Sequence, residues 1–346
     1  MITKTKASLT RVGASLLVLS LAGTLTACGS GATTEGTSGA SSGDTTDGAI
    51  TIAYIQKQGD QQYFVDQGDG AMAAAAELGD VTVKMIDVGD DANDAISQME
   101  AVIAQGIDGI IIVVPDQQIG PQVMAMAKEA GIPLMASDDS IEDGDGNVAP
   151  FTGFDGTSMG NEVGEAAAEL YNEAGWTADN TVILSAYKED LSVCLDRVEG
   201  AGASFGDAVA DMPETIVVGT DNSSTDAQDK AGAIITANPG VTNWVVWGCN
   251  DESETGVVNA LQNAGVSADH IIGVGLGANL TCKDWAAGQV TGNKAALFIS
   301  GKDVGKAAVT AVVDNIRNGV ALPPFTIADT AIVDSDTWEA AGVVCS

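Results

Sequence analysis

The chain has 346 residues, with 48 acidic against 14 basic side chains and a formal charge of −34. Such a surface repels polyphosphates, so nucleic acid is excluded as a partner, and the excess of carboxylates reads as a device for solubility. The one histidine, His270, and cysteines without a CxxC spacing give no ordinary zinc site, so neither a metal nor another cofactor is expected.

In chain order, Lys4, Lys6 and Arg11 precede an apolar run over 16–25, which closes on Leu25-Thr26-Ala27-Cys28-Gly29. A basic start, a short apolar stretch and small residues before a break are the order of a secretory signal, and the stretch is too short to span a bilayer. With its cysteine at the break, the segment resembles a bacterial lipoprotein signal. That resemblance implies that residues 1–27 are removed and that Cys28 carries the lipid. Residues 29–48 read GSGATTEGTSGASSGDTTDG, with too little apolar surface to offset the entropy of ordering. Residues 28–48 are therefore expected to be a lipid anchor and flexible tether. They would hang a domain on the outer face of the cell membrane, or on the periplasmic side of an envelope.

Roughly 300 residues remain, the size of two domains rather than one small core. Short β-branched runs alternate with longer segments of helical period, the pattern of βαβ units around a parallel sheet. Strands are predicted over 50–55, 81–88, 109–114 and 132–136. Between the second and third, Ala95, Ile96, Met99, Val102 and Ile103 share one helix face. The next helix stops at Gly131, with Pro133 just beyond it. The scheme then repeats, with strands over 181–186, 215–219, 243–248 and 270–275. Unbroken apolar runs such as Ile110-Ile111-Ile112-Val113-Val114 point to strands covered on both faces. The fold class is α/β, with two doubly wound parallel-sheet lobes in tandem. Ligands of such sheets gather at the carboxyl ends of the strands, so two facing lobes make a cleft.

The residues after the predicted strands carry chemistry. Lys57-Gln58-Gly59-Asp60-Gln61-Gln62-Tyr63-Phe64 follows the first strand, and Ser137-Asp138-Asp139 the fourth. In the second half come Tyr187-Lys188-Glu189-Asp190 with Arg197 beyond, then Cys249-Asn250-Asp251, then Gly275-Leu276-Gly277-Ala278-Asn279. Carboxylates, amides and cations converging on one cleft suit a neutral polyol, whose hydroxyls both donate and accept. An aromatic ring can pack on its C–H face. Bland roles compete: Asp138-Asp139 as a cap, Arg197 as a surface ion pair, Tyr63-Phe64 as core, and Asn250-Asp251 as an N-cap, with Asp251 the residue assigned to capping. His270 is read as a solvent-facing loop residue.

Taken in order over 50–333, the stretches Lys57-Gln58, Tyr63-Phe64, 133–139, 191–200, 244–251 and 271–277 resemble the type I periplasmic binding proteins. The likeness is strongest to the arabinose-binding group of sugar ABC importers. The resemblance implies that Lys57 donates to sugar hydroxyls and that Asp138 and Asp139 are cleft carboxylates. Arg197 would grip ring and hydroxyl oxygens, and Asn250 would bind a hydroxyl. Gln61 stands where that group has an acidic acceptor, and Tyr63 where it stacks a tryptophan. Phe154 and Cys249 fall at apolar lining positions, methionine in that group. Gly277 replaces a further amide, a contact missing here or supplied by Asn279.

The resemblance also implies a three-segment hinge near 153–155, 298–300 and 328–331. One lobe would comprise 49–153 with 299–328, the other 154–298 with 329–346. The ligand would be a monosaccharide, an arabinose- or galactose-like aldose, and the partner the importer's permease, with the protein a monomer. Cys194, Cys249, Cys282 and Cys345 would all lie in the second lobe. There Cys249 with Cys282, after neighbouring strands, is the preferred disulfide, leaving Cys194 with Cys345; Cys249 as a free cleft thiol stays open. No catalytic residue is expected. Adjacent Asp138 and Asp139 point to different sides, and no nucleophile has a histidine partner. The alternatives are a sensor presenting a sugar or small polyol to a receptor and, against this pattern, a secreted carbohydrate-active enzyme.

Overall fold

Residues 48–345 are described by a computed structural model, so the signal segment, Cys28 and the tether up to residue 47 lie outside the described residues. The first strand, β1 (Ile50–Gln56), is buried along almost its whole length, as a central parallel strand requires. There follow α1 (Gln62–Leu78), β2 (Val81–Asp87), α2 (Ala92–Ala104), β3 (Gly109–Ile112), α3 (Gly120–Ala130), β4 (Leu134–Ser137) and β5 (Phe151–Gly153). The Asp91 carboxylate starts α2 by accepting from the N–H groups of Asn93 and Asp94. Gly131 ends α3 in the left-handed region, at φ 69°. Pro133 has no N–H to give to a ladder, and β4 begins only after it. The five strands are parallel in the order β2-β1-β3-β4-β5. The helices α2 and α3 cover one face of this sheet, where Met99, Val102 and Val123 meet Ile110 and Ile112.

The scheme repeats in α4 (Gly156–Glu173), β6 (Thr181–Tyr187), α5 (Ser192–Ala208), β7 (Glu214–Gly219), α6 (Ser224–Ala237), β8 (Asn243–Gly248), α7 (Asp251–Asn263), β9 (Ile271–Gly277), α8 (Thr281–Ala286) and β10 (Asn293–Ile299). The parallel order is β7-β6-β8-β9-β10. Side chains of α4 and α5 fill one face of this sheet, those of α6 and α7 the other. The chain then returns through α9 (Gly301–Asn318), whose Ala308, Val309 and Val312 share a core with Phe64 and Ala71 of α1 on the open face of the first sheet. Next, β11 (Thr326–Ile327) extends the first sheet beside β5, and β12 (Thr330–Val333) extends the second, antiparallel to β10. Last comes α10 (Trp338–Ala341).

The chain therefore passes between the two sheets after β5, after β10 and between β11 and β12. One boundary moves: Ile299, assigned from sequence to the first lobe, closes β10 and pairs with Thr330 in the second sheet. The strands β5, β10, β11 and β12 are absent from the predicted set; β5 and β11, with three and two residues, carry no period, whereas β10 has a readable apolar run in Ala295-Ala296-Leu297-Phe298-Ile299. Both of the expected disulfides are corrected. Cys194 is bonded to Cys249, and Cys282 to Cys345. Strand adjacency is a poor guide here, because Cys282 lies inside α8 and faces the C-terminal segment around Val343, whereas Cys249 at the end of β8 faces the first turn of α5.

Candidate functional site

The carboxyl ends of the two sheets face one shared cavity. All ten residues singled out from sequence line it: Lys57, Gln61, Tyr63, Asp138, Asp139, Phe154, Arg197, Asn250, Gly277 and Asn279. The strand ends turn into the cavity through an uncommon backbone. Gln58, Asp138, Asn222 and Ala278 have φ of 48°, 59°, 68° and 68°. A side chain in the left-handed region costs energy, least for Asn and Asp, and such residues gather at ligand sites.

From the first sheet, the Lys57 ammonium donates to the Asp139 carboxylate, both groups being buried. Asp138 accepts from the Tyr63 hydroxyl and from the Gln67 amide. Gln67 Nε2 also donates to Ser137 Oγ at 3.2 Å, and that oxygen lies 3.1 Å from the Tyr54 hydroxyl. Burial raises the Asp138 carboxyl to about 6; the Tyr63 and Gln67 hydrogen bonds and the Lys57 charge oppose the rise, and the Asp139 charge adds to it.

From the second sheet, Arg197 on α5 donates through Nη1 to the Cys249 carbonyl at 2.9 Å. Its buried Nε–H has no partner among the described residues. Burial lowers the guanidinium pKa, and Asp139 and Asp138 pull it back up. Asn250 is the N-cap of α7, its Oδ1 accepting from Ser253 N–H at 3.1 Å. The capping role given to Asp251 thus belongs to Asn250. Asp251 is instead buried and accepts from the Thr281 hydroxyl at 2.6 Å. Both amide hydrogens of Asn250 are engaged, by the Asn222 carbonyl and by Glu252, at 2.9 and 2.7 Å. Asn250 can therefore still accept from a ligand hydroxyl but has no donor left. Asn279 spends one amide hydrogen on the Val344 carbonyl at 3.3 Å and keeps its oxygen. At Gly277 the backbone has φ 135°, which a side chain rarely adopts. Phe154, at the first crossing, lies against Tyr63 with ring centroids 6.3 Å apart.

Several polar residues of the site escaped the sequence reading, Asp90 and Asn222 on the cavity wall among them. Glu252 lines the cavity, and burial, then the Asp251 charge, raise its carboxyl to about 7. Gln67 is fully buried behind Asp138. A signal for Gln67 existed in the internal repeat, because it sits five positions into α1, as Arg197 does in α5. The helix contacts repeat too. A Cβ at Gly305 would lie 2.0 Å from the Gln67 carbonyl oxygen, and one at Gly160 would lie 2.0 Å from that of Arg197.

Residues 52–319 match the family described as periplasmic binding protein domain. The chain belongs to the periplasmic binding proteins. Among curated members, this binding protein is 25% identical over 304 residues to the ABC transporter L-arabinose-binding periplasmic protein of Azospirillum brasilense, covering 85% of this chain and 89% of the relative. It is 22% identical over 297 residues to the L-arabinose-binding periplasmic protein of Escherichia coli, with 84% and 89% covered. Among solved structures, an ABC transporter solute-binding protein of Actinobacillus succinogenes with bound D-allose superposes with a TM-score of 0.73 at 20% identity, over 84% of this chain and 99% of that one. The Caulobacter myo-inositol-binding protein with bound myo-inositol gives 0.71 at 20% identity, over 84% and 95%. These structures share the fold of two α/β lobes. Among the described residues no helix is long and apolar enough to cross a membrane.

Proposed function

We propose that this chain is the lipid-anchored, sugar-binding component of an ABC importer, exported to the outer face of the membrane. It takes a monosaccharide, an arabinose- or galactose-like aldose, into the cleft, closes on it, and presents it to the permease. The observation that carries this reading is the opposition of two polar sets across one cavity. Lys57, Asp138 and Asp139 stand on one side, and Arg197, with its unpartnered Nε–H, and Asn250 on the other. Carboxylates and a guanidinium can each bind paired hydroxyls, and Tyr63 and Phe154 offer apolar faces to the C–H side of a sugar ring. Most of the site donors and acceptors are already held by neighbours, the preorganisation that makes a mismatched hydroxyl costly, at about 1–3 kcal/mol per unpaired buried group.

Isothermal titration of the purified protein against pentoses, hexoses and polyols, including L-arabinose, D-galactose, D-allose, xylitol and myo-inositol, is the direct test. One aldose should bind at least about tenfold tighter than its epimers; no heat from any of them would overturn the reading. Anchoring is tested apart from binding. Cys28→Ala should leave sugar binding intact and move the protein out of the detergent phase in phase separation. An unchanged partition would count against the lipid.

A further inference from the structure

Cys249 is the residue at which the chain leaves β8 for the cleft, and Cys194 lies about one helical turn before Arg197 on α5. The disulfide between them is buried, with the cysteines 0% and 2% exposed, and Leu191 packs against both. Arg197 Nη1 donates to the carbonyl of that same Cys249 at 2.9 Å and lies 3.9 Å from its sulfur. Asn222, in the turn after β7, donates to Cys194 Sγ at 3.4 Å while its own carbonyl receives the Asn250 amide at 2.9 Å. One covalent bond thus ties the helix that carries Arg197 to the strand end that leads into Asn250, and the Asn222 turn bridges Cys194 and Asn250 by hydrogen bonds. The other disulfide, Cys282–Cys345, pins the C-terminal segment to α8, and neither of its cysteines lines the cavity.

We infer that the Cys194–Cys249 disulfide is a positioning element of the binding site, fixing the carbonyl that orients Arg197 so that Nε–H faces the ligand. The inference rests on the cleft being the ligand site. An arginine has many rotamers, and a ligand that must order one binds more weakly than a ligand meeting it already held. Without the S–S bond, the first turn of α5 and the end of β8 are joined at this point by the Arg197 contact, the Asn222 bridge and a small apolar cluster. The anchoring carbonyl and the helix are then free to shift relative to each other.

The full chain is compared with Cys194→Ala/Cys249→Ala and with Cys194→Val/Cys249→Ala, which refills the space of the bond. Cys282→Ala/Cys345→Ala serves as control. Two readouts are used: titration with L-arabinose, D-allose, xylitol and myo-inositol, and the NMR signal of the Arg197 Nε–H in sugar-free protein, assigned by its loss in Arg197→Ala. Loss of the first disulfide should weaken binding by about tenfold and shift or broaden the Arg197 signal, which the control leaves in place. In an Arg197→Ala background the same loss should change affinity by less than about twofold. An unmoved signal, or an equal loss of affinity with and without Arg197, overturns the positioning role, as does unfolding of both Cys194/Cys249 variants. If the parent binds none of the four compounds, the sugar-binding reading fails on its own account, and a signal that still moves shows only that the disulfide holds the Arg197 side chain, which overturns its role in binding.

Discussion

Asp138 concentrates the electrostatics of the cleft in one carboxyl. It sits in the left-handed region at φ 59°, takes hydrogen bonds from Tyr63 and Gln67, and burial holds its carboxyl up to about 6. In the unfolded chain the same group releases its proton near ~3.9. Between those values the folded state binds more proton, so the stability that Asp138 contributes is complete below the lower value and is lost as pH rises through about 6. Sugar binding runs the other way, because a hydroxyl donates best to the charged carboxylate. Affinity should fall as pH drops through about 6, whereas Asp138→Asn should bind weakly and lose that step, keeping only the dependence that Glu252, raised to about 7, contributes. Calorimetry across that window decides it, and an unchanged affinity at low pH would remove Asp138 from contact with the ligand. Arg197→Ala should likewise lose about tenfold or more in affinity with the fold intact, since the one protein acceptor it leaves, the Cys249 carbonyl, belongs to a residue that lines the cavity, where water can replace the guanidinium. Asp138 and Arg197 were legible in the sequence, the first directly after a strand, the second in the helix after one. Gln67 was not, because an amide inside an amphipathic helix reads as surface until the sheet behind it is in place.

At the scale of elements, the site depends on two helix pairs packed backbone to backbone. The α9 helix presses Gly305 on the Gln67 carbonyl, and α4 presses Gly160 on the Arg197 carbonyl. Each pressing helix begins directly after a crossing between the sheets, so Gln67 and Arg197 are seated on the segments that follow those crossings. A Cβ at either glycine would stand 2.0 Å from a carbonyl oxygen, far inside contact distance. Gly305→Ala and Gly160→Ala should therefore each destabilise the fold by about 1–3 kcal/mol and weaken sugar binding as the helices part. Gly202→Ala is the control, because that position of α5 has nothing within 4 Å of a Cβ. There the substitution should gain about 0.5–1 kcal/mol, as alanine does within a helix. Urea unfolding of the three variants separates these outcomes, and equal stability of Gly160→Ala and Gly202→Ala would contradict the seat. The central strands were legible because runs such as Ile110–Ile112 are apolar on both faces. The helix pairs were not, since a glycine that makes room for a neighbour looks in sequence like a glycine that weakens a helix. The disulfides failed for a related reason: their pairing depends on which face of α5 and α8 a cysteine occupies, and strand order does not carry that.

For the whole molecule, the proposed closure on a ligand turns on how little holds the lobes together. Across the cleft the described residues provide one side-chain hydrogen bond, from the Ser192 hydroxyl to Gln117, beside the contacts at the chain crossings. Both lobes bring carboxylates to its rim, Asp60 and Asp90 from one and Asp190 and Glu252 from the other, within a chain of charge −34. Lys188, in the same rim pocket as Asp90 and Asp116, and Lys283, in that of Asp60, offset part of their repulsion, but the carboxylates outnumber them; the net repulsion favours the open form and is screened over roughly 8–10 Å at physiological salt. A sugar bonded to Lys57 and Asp138 on one side and to Arg197 on the other gains its full set of contacts only in the closed form, so its binding shifts the population there. Small-angle scattering should accordingly give a smaller radius of gyration at saturating sugar than without it. Raising the salt concentration alone should move the empty protein part of the way in the same direction. In Arg197→Ala the compaction should require more sugar and be incomplete, because one side of the bridge is gone. A radius of gyration that stays constant through a titration in which calorimetry registers binding would mean that the ligand sits in one lobe and that the hinge plays no part in its capture.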